Sequence, residues 1–467
     1  MPSGPVIAVI GAGFSGTLTA LRLLYAGPPG ARIFLIEKTP GFGRGLAYGT
    51  HNPSHLLNVR VGNMSAFPED PSHLRRWLAD RVGGQGPAEQ GEAAFISRGT
   101  YGDYLAALIQ AAIAQPDGAE RLVLVPDQAT DLDLTPDGAA VRLAMGRVLQ
   151  ADAVVLAPGN LPPLSPGDIG LEALPPPLYA ADPWAEETLS DLTPDADVLL
   201  LGSGLTMVDV ALDLQARGHR GQIAAISRRG LAPHRHAAVG PLPCAPPQLQ
   251  ALPLSWRLRE RRRRAAEIGW RAAVDELRPV TVELWRAASD DQRRRFLRHL
   301  RPWWDIHRHR MAPAVADQVQ ALREAGRLTI DAGRLIEVSV LGPAAVVRWR
   351  PRGGDEIRLL KTDRIINCTG AGGDLARTRD PLLRRLIRTG AIRADRLGLG
   401  LEVNAAAQAV DASGRSSPNL YAAGPITQGY AWEAVAVPDI RNQVARLVQA
   451  LAERSWTRRE DARAGSC

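Results

Sequence analysis

The chain is poor in lysine, cysteine and aromatic residues, and no long apolar run occurs in it. Lys38 and Lys361 are the only lysines among 56 basic residues, so a formal charge of +7 and a pI near 9.7 come almost wholly from arginine. These arginines are spread along the chain and interleaved with acids. The densest run, residues 257–264, has neither interleaved aromatic platforms nor a nucleic-acid motif. Nucleic-acid binding is therefore not expected, and the positive field suits the steering of an anionic substrate and cofactor. No stretch is apolar for the length of a membrane span, so no membrane association is expected either. The three cysteines, Cys244, Cys368 and Cys467, are odd in number, widely separated and form no CxxC or CxxxxC pair. That excludes a disulfide framework and the cysteine pair of disulfide reductases, and no metal site is expected. Cys368 closes an apolar run and reads as a small core residue. The first strand starts at Val6, which leaves no room for a cleavable leader, and a reducing cytoplasm is the expected compartment.

What the chain does have is a glycine-rich loop written twice. Gly11-Ala12-Gly13-Phe14-Ser15-Gly16 follows the apolar run 6–10, and Gly202-Ser203-Gly204-Leu205-Thr206-Met207 follows the run 198–201. Each leads into an apolar helix pattern. The first glycine allows a tight turn, the second lets backbone approach a pyrophosphate, and the helix N-terminus presents free N–H groups to it. Met207 departs from the small residue usual at the third position, and a larger side chain there pushes the helix away from the strand.

The two loops differ at the end of the strand that follows. After the first, strand 32–36 ends in Glu37, whose carboxylate can accept from an adenosine ribose diol. The same offset from Gly202 lands on Arg228, with Arg229 beside it, and guanidinium groups suit a ribose 2′-phosphate. The first loop thus reads as an FAD site and the second as an NADPH site, with NADH left open.

At 467 residues the chain exceeds one ordinary core, so two or three domains are expected. Short strands at 122–125, 130–134, 140–144 and 147–150 form a meander that feeds a central strand ending in Gly159. The pattern returns at 328–330, 335–340, 345–350 and 357–361, and feeds a strand ending in Gly370. The fold class expected is α/β, two Rossmann-like dinucleotide-binding domains with β-meanders and a helical insertion. Residues 1–165 would open the FAD domain, 195–360 would form the NAD(P) domain with an insertion at about 246–327, and 361–455 would complete the FAD domain. The proline-rich stretch 161–184 reads as a linker without elements. Residues 432–451 read as a long C-terminal helix. In the insertion, the tryptophans, histidines and arginines of 303–310 could line a pocket or equally form a core with a solvated face.

Several motifs together resemble the FAD/NAD(P)-binding flavoprotein monooxygenases that include FAD-dependent urate hydroxylase and aspartate N-monooxygenase, distantly similar to ornithine N-hydroxylases and Baeyer–Villiger enzymes. They are GAGFSG at 11–16, GRGLAY at 43–48, HLLNV at 55–59, NMSAFP at 63–68, APGN at 157–160 and HRHRMAP at 307–313. Gly424-Pro425, Trp432-Glu433 and Ala436-Val437-Pro438 complete the set. The resemblance spans nearly the whole chain. It implies that Gly11, Gly13, Phe14, Ser15, Gly16, Glu37 and Lys38 hold the FAD adenosine and pyrophosphate. It implies further that Gly45, Leu57, Asn58, Val59 and Met64 run along the flavin, with Gly159 nearby and Gly424, Pro425 and Trp432 at the pyrimidine side. Gly202, Ser203, Gly204, Leu205 and Arg228 would hold NAD(P)H. Asn58, Asn63 and Trp432 are the residues it places nearest the chemistry, with Arg60 and the 303–310 segment as further substrate candidates.

The activity so implied is NAD(P)H-consuming monooxygenation of a small polar substrate by molecular oxygen through a flavin C4a-hydroperoxide. Urate hydroxylation to 5-hydroxyisourate is the first expectation, and amino-acid N-hydroxylation of the aspartate type is the alternative. A non-oxygenating FAD/NAD(P)H oxidoreductase is the third reading. The cofactor carries the chemistry in all three. The oligomeric state is left open.

Overall fold

The computed structural model describes residues 4–82, 91–167, 169–237 and 252–456. Within these residues the chain divides into two compact units. The first takes the chain before Asn52, then Arg60–Leu161, then the chain from Gly373. The second takes Asn52–Val59 and Pro162–Gly372.

In the first unit β1 (Val6–Ile10), β2 (Arg32–Ile36) and β3 (Leu122–Val125) pair in parallel. β4 (Ala129–Thr135), β5 (Gly138–Leu143) and β6 (Val148–Ala151) form a separate antiparallel sheet, and β7 (Ala153–Leu156) returns to lie beside β1. Every residue of β7 is buried, as expected of a parallel strand covered on both faces.

In the second unit the short β8 (Tyr179–Ala180) lies at one edge of a seven-stranded sheet. β9 (Val198–Leu201) and β10 (Ile223–Ser227) are central and parallel. β11 (Leu328–Leu341), β12 (Ala344–Pro351) and β13 (Arg358–Thr362) extend the sheet on one side, and β14 (Arg364–Asn367) joins β9 to β8 on the other. Back in the first unit, β15 (Gln408–Val410) and β16 (Ser416–Ala422) complete the six-stranded order β15-β16-β7-β1-β2-β3. This is the doubly wound, two-nucleotide α/β arrangement expected from the twin loops.

Four expectations are corrected. The strands expected at 328–330 and 335–340 are one: β11 runs parallel to β10 as far as Ala332 and antiparallel to β12 from Gly333 on, with a bulge between Leu335 and Glu337 inside the second pairing. The second meander is consequently continuous with its central sheet, whereas the first is separate. The boundary drawn at 360/361 falls inside the second sheet, because β14 pairs with β9 from Arg364↔Val198 to Asn367↔Leu201; the units part at Gly372. The stretch 161–184 is not bare linker, since it supplies a 3₁₀ turn at Leu171–Ala173 and the edge strand β8. The C-terminal helix is Val437–Ala452 and does not begin at Trp432. Pro438 sits in its first turn, the one part of a helix that tolerates a missing N–H.

The insertion is helical at Leu254–Ile268, Trp270–Asp275, Thr281–Ala287, Asp290–Arg295, Arg301–Arg308 and Pro313–Glu324; residues 246–251 of the expected span lie outside the described residues.

Candidate functional site

The two glycine loops have nearly the same backbone. Gly11 has φ +99° and Gly202 φ +109°; the N–H of Gly11 donates to Ile36 O and that of Gly202 to Ile226 O, each at 2.8 Å. A Cβ on Gly11 would stand 2.3 Å from Ala157 O, and one on Gly202 would stand 2.5 Å from Cys368 O. Glycine is therefore required twice over, by φ and by the carbonyl of the neighbouring strand's end. Gly13 and Gly204 then cap helices Phe14–Ala26 and Leu205–Ala216 in matching extended conformations. Neither helix has a side-chain cap or an acidic residue in its first turn. Their leading N–H groups are thus left to an anion. A Cβ on Gly204 would meet nothing within 4 Å, so the backbone there is open to close approach, and Gly159 is equally open. The residues present fit two dinucleotides.

At the third position the loops part. A Cβ on Gly16 would lie 1.7 Å from Gly11 O. Met207, fully buried, holds the corresponding place, so that helix must stand off its turn by the room a side chain needs.

The strand ends differ in what they brace. Glu37 accepts from the Ala12 N–H at 2.8 Å through one carboxylate oxygen, and from the N–H and hydroxyl of Thr39 through the other. Arginine has no acceptor to offer, and in the second loop Ser203 takes over the bracing, with its Oγ 2.5 Å from Leu231 O and 2.8 Å from Ser227 Oγ. Arg228 is exposed, with no hydrogen bond or ion pair to any described residue. Lys38 is likewise exposed.

Gly424 reaches the start of the first helix. Its φ is +81°, and a Cβ there would lie 2.1 Å from Ser15 Oγ. Gln443 on the C-terminal helix accepts from the Gly424 N–H at 2.9 Å and donates to Thr427 Oγ1 at 2.7 Å, while Thr427 donates to Gly424 O at 2.8 Å. This buried ring of bonds fixes the turn that carries Pro425. Trp432 is buried and its carbonyl accepts from Gln428. Sequence reading missed Gln443 and Thr427, which no motif marks.

The stretch expected to run along the flavin is divided. Gly45 packs against Gly13, a Cβ on it lying 2.8 Å from Gly13 Cα, and Gly43 N–H donates to Ala12 O at 2.9 Å. The Met64 side chain is buried in the first unit, and its carbonyl accepts from the Tyr101 hydroxyl at 2.9 Å. Tyr104 beside it is buried, which pushes its hydroxyl up to about 12. Asn63 is exposed, and Arg60 lies over the Phe95 ring. Leu57, Asn58 and Val59, by contrast, belong to the second unit. There Asn52 donates to Asp213, the His55 ring contacts Asp209 O at 2.9 Å, and His236 Nε2 lies 3.0 Å from Asn58 O. The compact units therefore assign Asn58 and Asn63 to different bodies.

The 303–310 segment is partly surface and partly core. Trp303 is exposed, and its carbonyl lies 2.7 Å from His307 Nδ1. Arg310 is buried and forms a two-point pair with Asp275 at 2.8 and 3.0 Å. Its guanidinium also lies over Trp270, as does that of Arg271, and the His234 and His307 rings each lie 4.8 Å from the Trp270 centroid. The motif HRHRMAP signalled His307 and Arg310; nothing in the sequence signalled His234, Trp270 or Arg271. No group of three or more metal-ligating side chains is present among the described residues, and no described helix is long and apolar enough to cross a membrane.

These features define a scaffold with two dinucleotide-binding loops. Residues 8–161 match the family model described as FAD-NAD(P)-binding. Solved structures share the fold end to end. An ornithine N-hydroxylase from Kutzneria sp. 744, described with reduced FAD, NADP+ and L-ornithine, is 14% identical, with 96% of this chain and 99% of that one covered at a TM-score of 0.65. L-lysine 6-monooxygenase from Pseudomonas syringae is 17% identical over 96% and 99%, also at 0.65. A cadaverine monooxygenase from Erwinia amylovora, bound to FAD, is 13% identical over 99% and 98%, again at 0.65. No curated protein sequence matches the chain.

Proposed function

We propose that this chain is an FAD-dependent, NAD(P)H-consuming monooxygenase that hydroxylates nitrogen on a small amine. The observation that carries the reading is the full-length agreement of fold with enzymes named for ornithine, lysine and cadaverine. Urate hydroxylation, the first expectation, rests on sequence resemblance alone, and the N-hydroxylating alternative has structural relatives behind it.

In this reading the loop 11–16 and Glu37 hold the FAD pyrophosphate and adenosine, while Gly202, Ser203, Gly204 and Leu205 receive the nicotinamide nucleotide. Arg228 is free to take a ribose 2′-phosphate, which favours NADPH. Bound flavin would supply hydride acceptance and oxygen activation. The chain itself supplies fixed main-chain donors, a glycine turn at Gly424 locked by Gln443, and carboxylate bracing of the loop by Glu37. Asn58, Asn63 and Trp432 are proposed to position substrate and flavin. The lack of a CxxC or CxxxxC pair in the sequence, with Cys368 buried and its thiol pushed far up by burial and by Asp209, disfavours a disulfide reductase.

A substrate panel tests this: L-ornithine, L-lysine, cadaverine, L-aspartate and urate, each with the flavin-loaded chain and NADPH in air. Hydroxylamine formed in step with NADPH oxidation for one amine is the expected result. Turnover of urate alone would replace the N-hydroxylase reading with the urate one. Peroxide release unchanged by every compound would favour a non-oxygenating oxidoreductase.

A further inference from the structure

The indole of Trp270 is ringed by four nitrogen-bearing side chains, and their charges do not balance. Arg271 and Arg310 lie 4.3 and 5.1 Å from its centroid, and His234 and His307 stand 4.7 Å apart, centroid to centroid. Arg310 is neutralised by Asp275, and neighbouring Arg235 by Asp317. Among the described residues Arg271 has no such partner: its Nε and Nη2 donate only to the Arg235 carbonyl, at 3.4 and 3.1 Å. Neither ring nitrogen of His234 has a hydrogen-bond partner among the described residues, and His307 uses only Nδ1, on Trp303 O. Among the described residues, one half-buried cation and two imidazoles are thus gathered with no carboxylate but Asp275, both of whose oxygens are taken by Arg310.

We propose that Arg271, His234 and His307 form an oxyanion-binding site in the helical insertion, taking a carboxylate or phosphate group. A guanidinium on an indole face is pre-oriented and weakly hydrated, which suits it to a planar carboxylate or a phosphate. Burial together with His307, Arg271 and Arg310 holds the His234 imidazole below its ordinary range, and burial with Arg310 does the same to Arg271. An anion here relieves that repulsion.

The site is tied to a residue already nominated for the chemistry. His234 donates its N–H to Ile306 O and accepts from the Met311 N–H, which fixes the strand-like segment 234–236 against the 306–311 turn. Two residues on, His236 holds Asn58 through its main-chain oxygen. This favours the carboxylate of a substrate, such as an amino acid, over a cofactor phosphate. Only that attribution rests on the monooxygenase reading; the oxyanion site itself does not.

The test is direct binding. The flavin-loaded full chain is isotope-labelled at the histidine rings, the His234 and His307 resonances are assigned with His234→Gln and His307→Gln, and sodium succinate, inorganic phosphate and NADP+ are titrated separately. Saturable shifts of both resonances, with the His234 titration moved to higher pH, are expected with succinate. A response to phosphate and NADP+ without one to succinate assigns the anion to the nucleotide. Arg271→Gln weakens binding at least about tenfold, and Arg271→Lys, which keeps the charge but not the planar fork, restores only part of it. No saturable response to any of the three probes overturns the site. So does unchanged affinity in an Arg271→Gln protein that melts like its parent. Because no turnover is measured, failure here leaves the monooxygenase reading standing, and failure of turnover leaves this result interpretable.

Discussion

The carboxylate of Glu37 accepts a hydrogen bond from the main-chain N–H of Ala12 at 2.8 Å, joining the end of the second strand to the middle of the first glycine loop. One side chain therefore has two tasks, shaping the loop and presenting acceptors at its rim. Glu37→Ala removes both. A charge-assisted bond of this kind contributes about 1.5–3 kcal/mol, so FAD affinity is expected to fall about tenfold or more. Calorimetric titration of the apo chain with FAD measures it.

The second loop lacks that bond because Arg228 stands where Glu37 does in the first. Arg228→Ala is expected to raise the KM for NADPH about tenfold and to leave that for NADH within about twofold. Steady-state rates with both nucleotides give the ratio, and an unchanged ratio removes the 2′-phosphate role.

Gln443→Leu strips the acceptor from Gly424 N–H and the donor to Thr427 inside a buried turn. Leaving these groups unsatisfied costs about 1–3 kcal/mol. Denaturant unfolding should move accordingly, and flavin release should quicken; a variant that unfolds early yet holds flavin normally would confine Gln443 to general stability.

Glu276 is buried and paired with Arg261 and Arg264, each at 2.8 Å. Burial works to raise its carboxyl, and the two guanidinium groups overcome it, leaving it below its ordinary 4.5. A lowered folded-state pKa contributes stability that is complete above the unfolded value and is lost as pH falls through the folded one. Acid unfolding of the insertion, followed by tryptophan fluorescence, should therefore set in below about pH 4.5. Glu276→Ala is expected to flatten that dependence and to cost about 3 kcal/mol at neutral pH, since it strands the largely buried Arg261 and leaves Arg264 only its bond to Glu267.

Much of this was readable before the fold was known. Buried parallel strands such as β7, β9 and β14 are continuous apolar runs, and Gly11 and Gly202 follow from sterics that admit no other residue, so the twin loops announced themselves. The joining of two expected strands into β11 was not readable, because a strand that passes from one partner to the next between Ala332 and Gly333 without a turn leaves no local mark, and the bulge at Leu335–Glu337 interrupts its alternation. Pro438 could have placed the helix start. The bonds of Gln443 to Gly424 and of His236 to Asn58 link residues far apart in sequence, where local pattern carries no information. The same holds for the ring of side chains about Trp270: the motif showed His307 and Arg310, and only tertiary folding brought His234 and Arg271 to them.

The central claim is that oxygen from dioxygen enters an amine nitrogen. Flavin-loaded chain, NADPH and the amine panel are incubated under dioxygen labelled with heavy oxygen, and the products are weighed by mass spectrometry. A hydroxylamine carrying the label, in proportion to NADPH consumed, is the predicted result. NADPH consumption that yields only labelled hydrogen peroxide with every amine, or an oxygenated product whose oxygen is unlabelled, would contradict it.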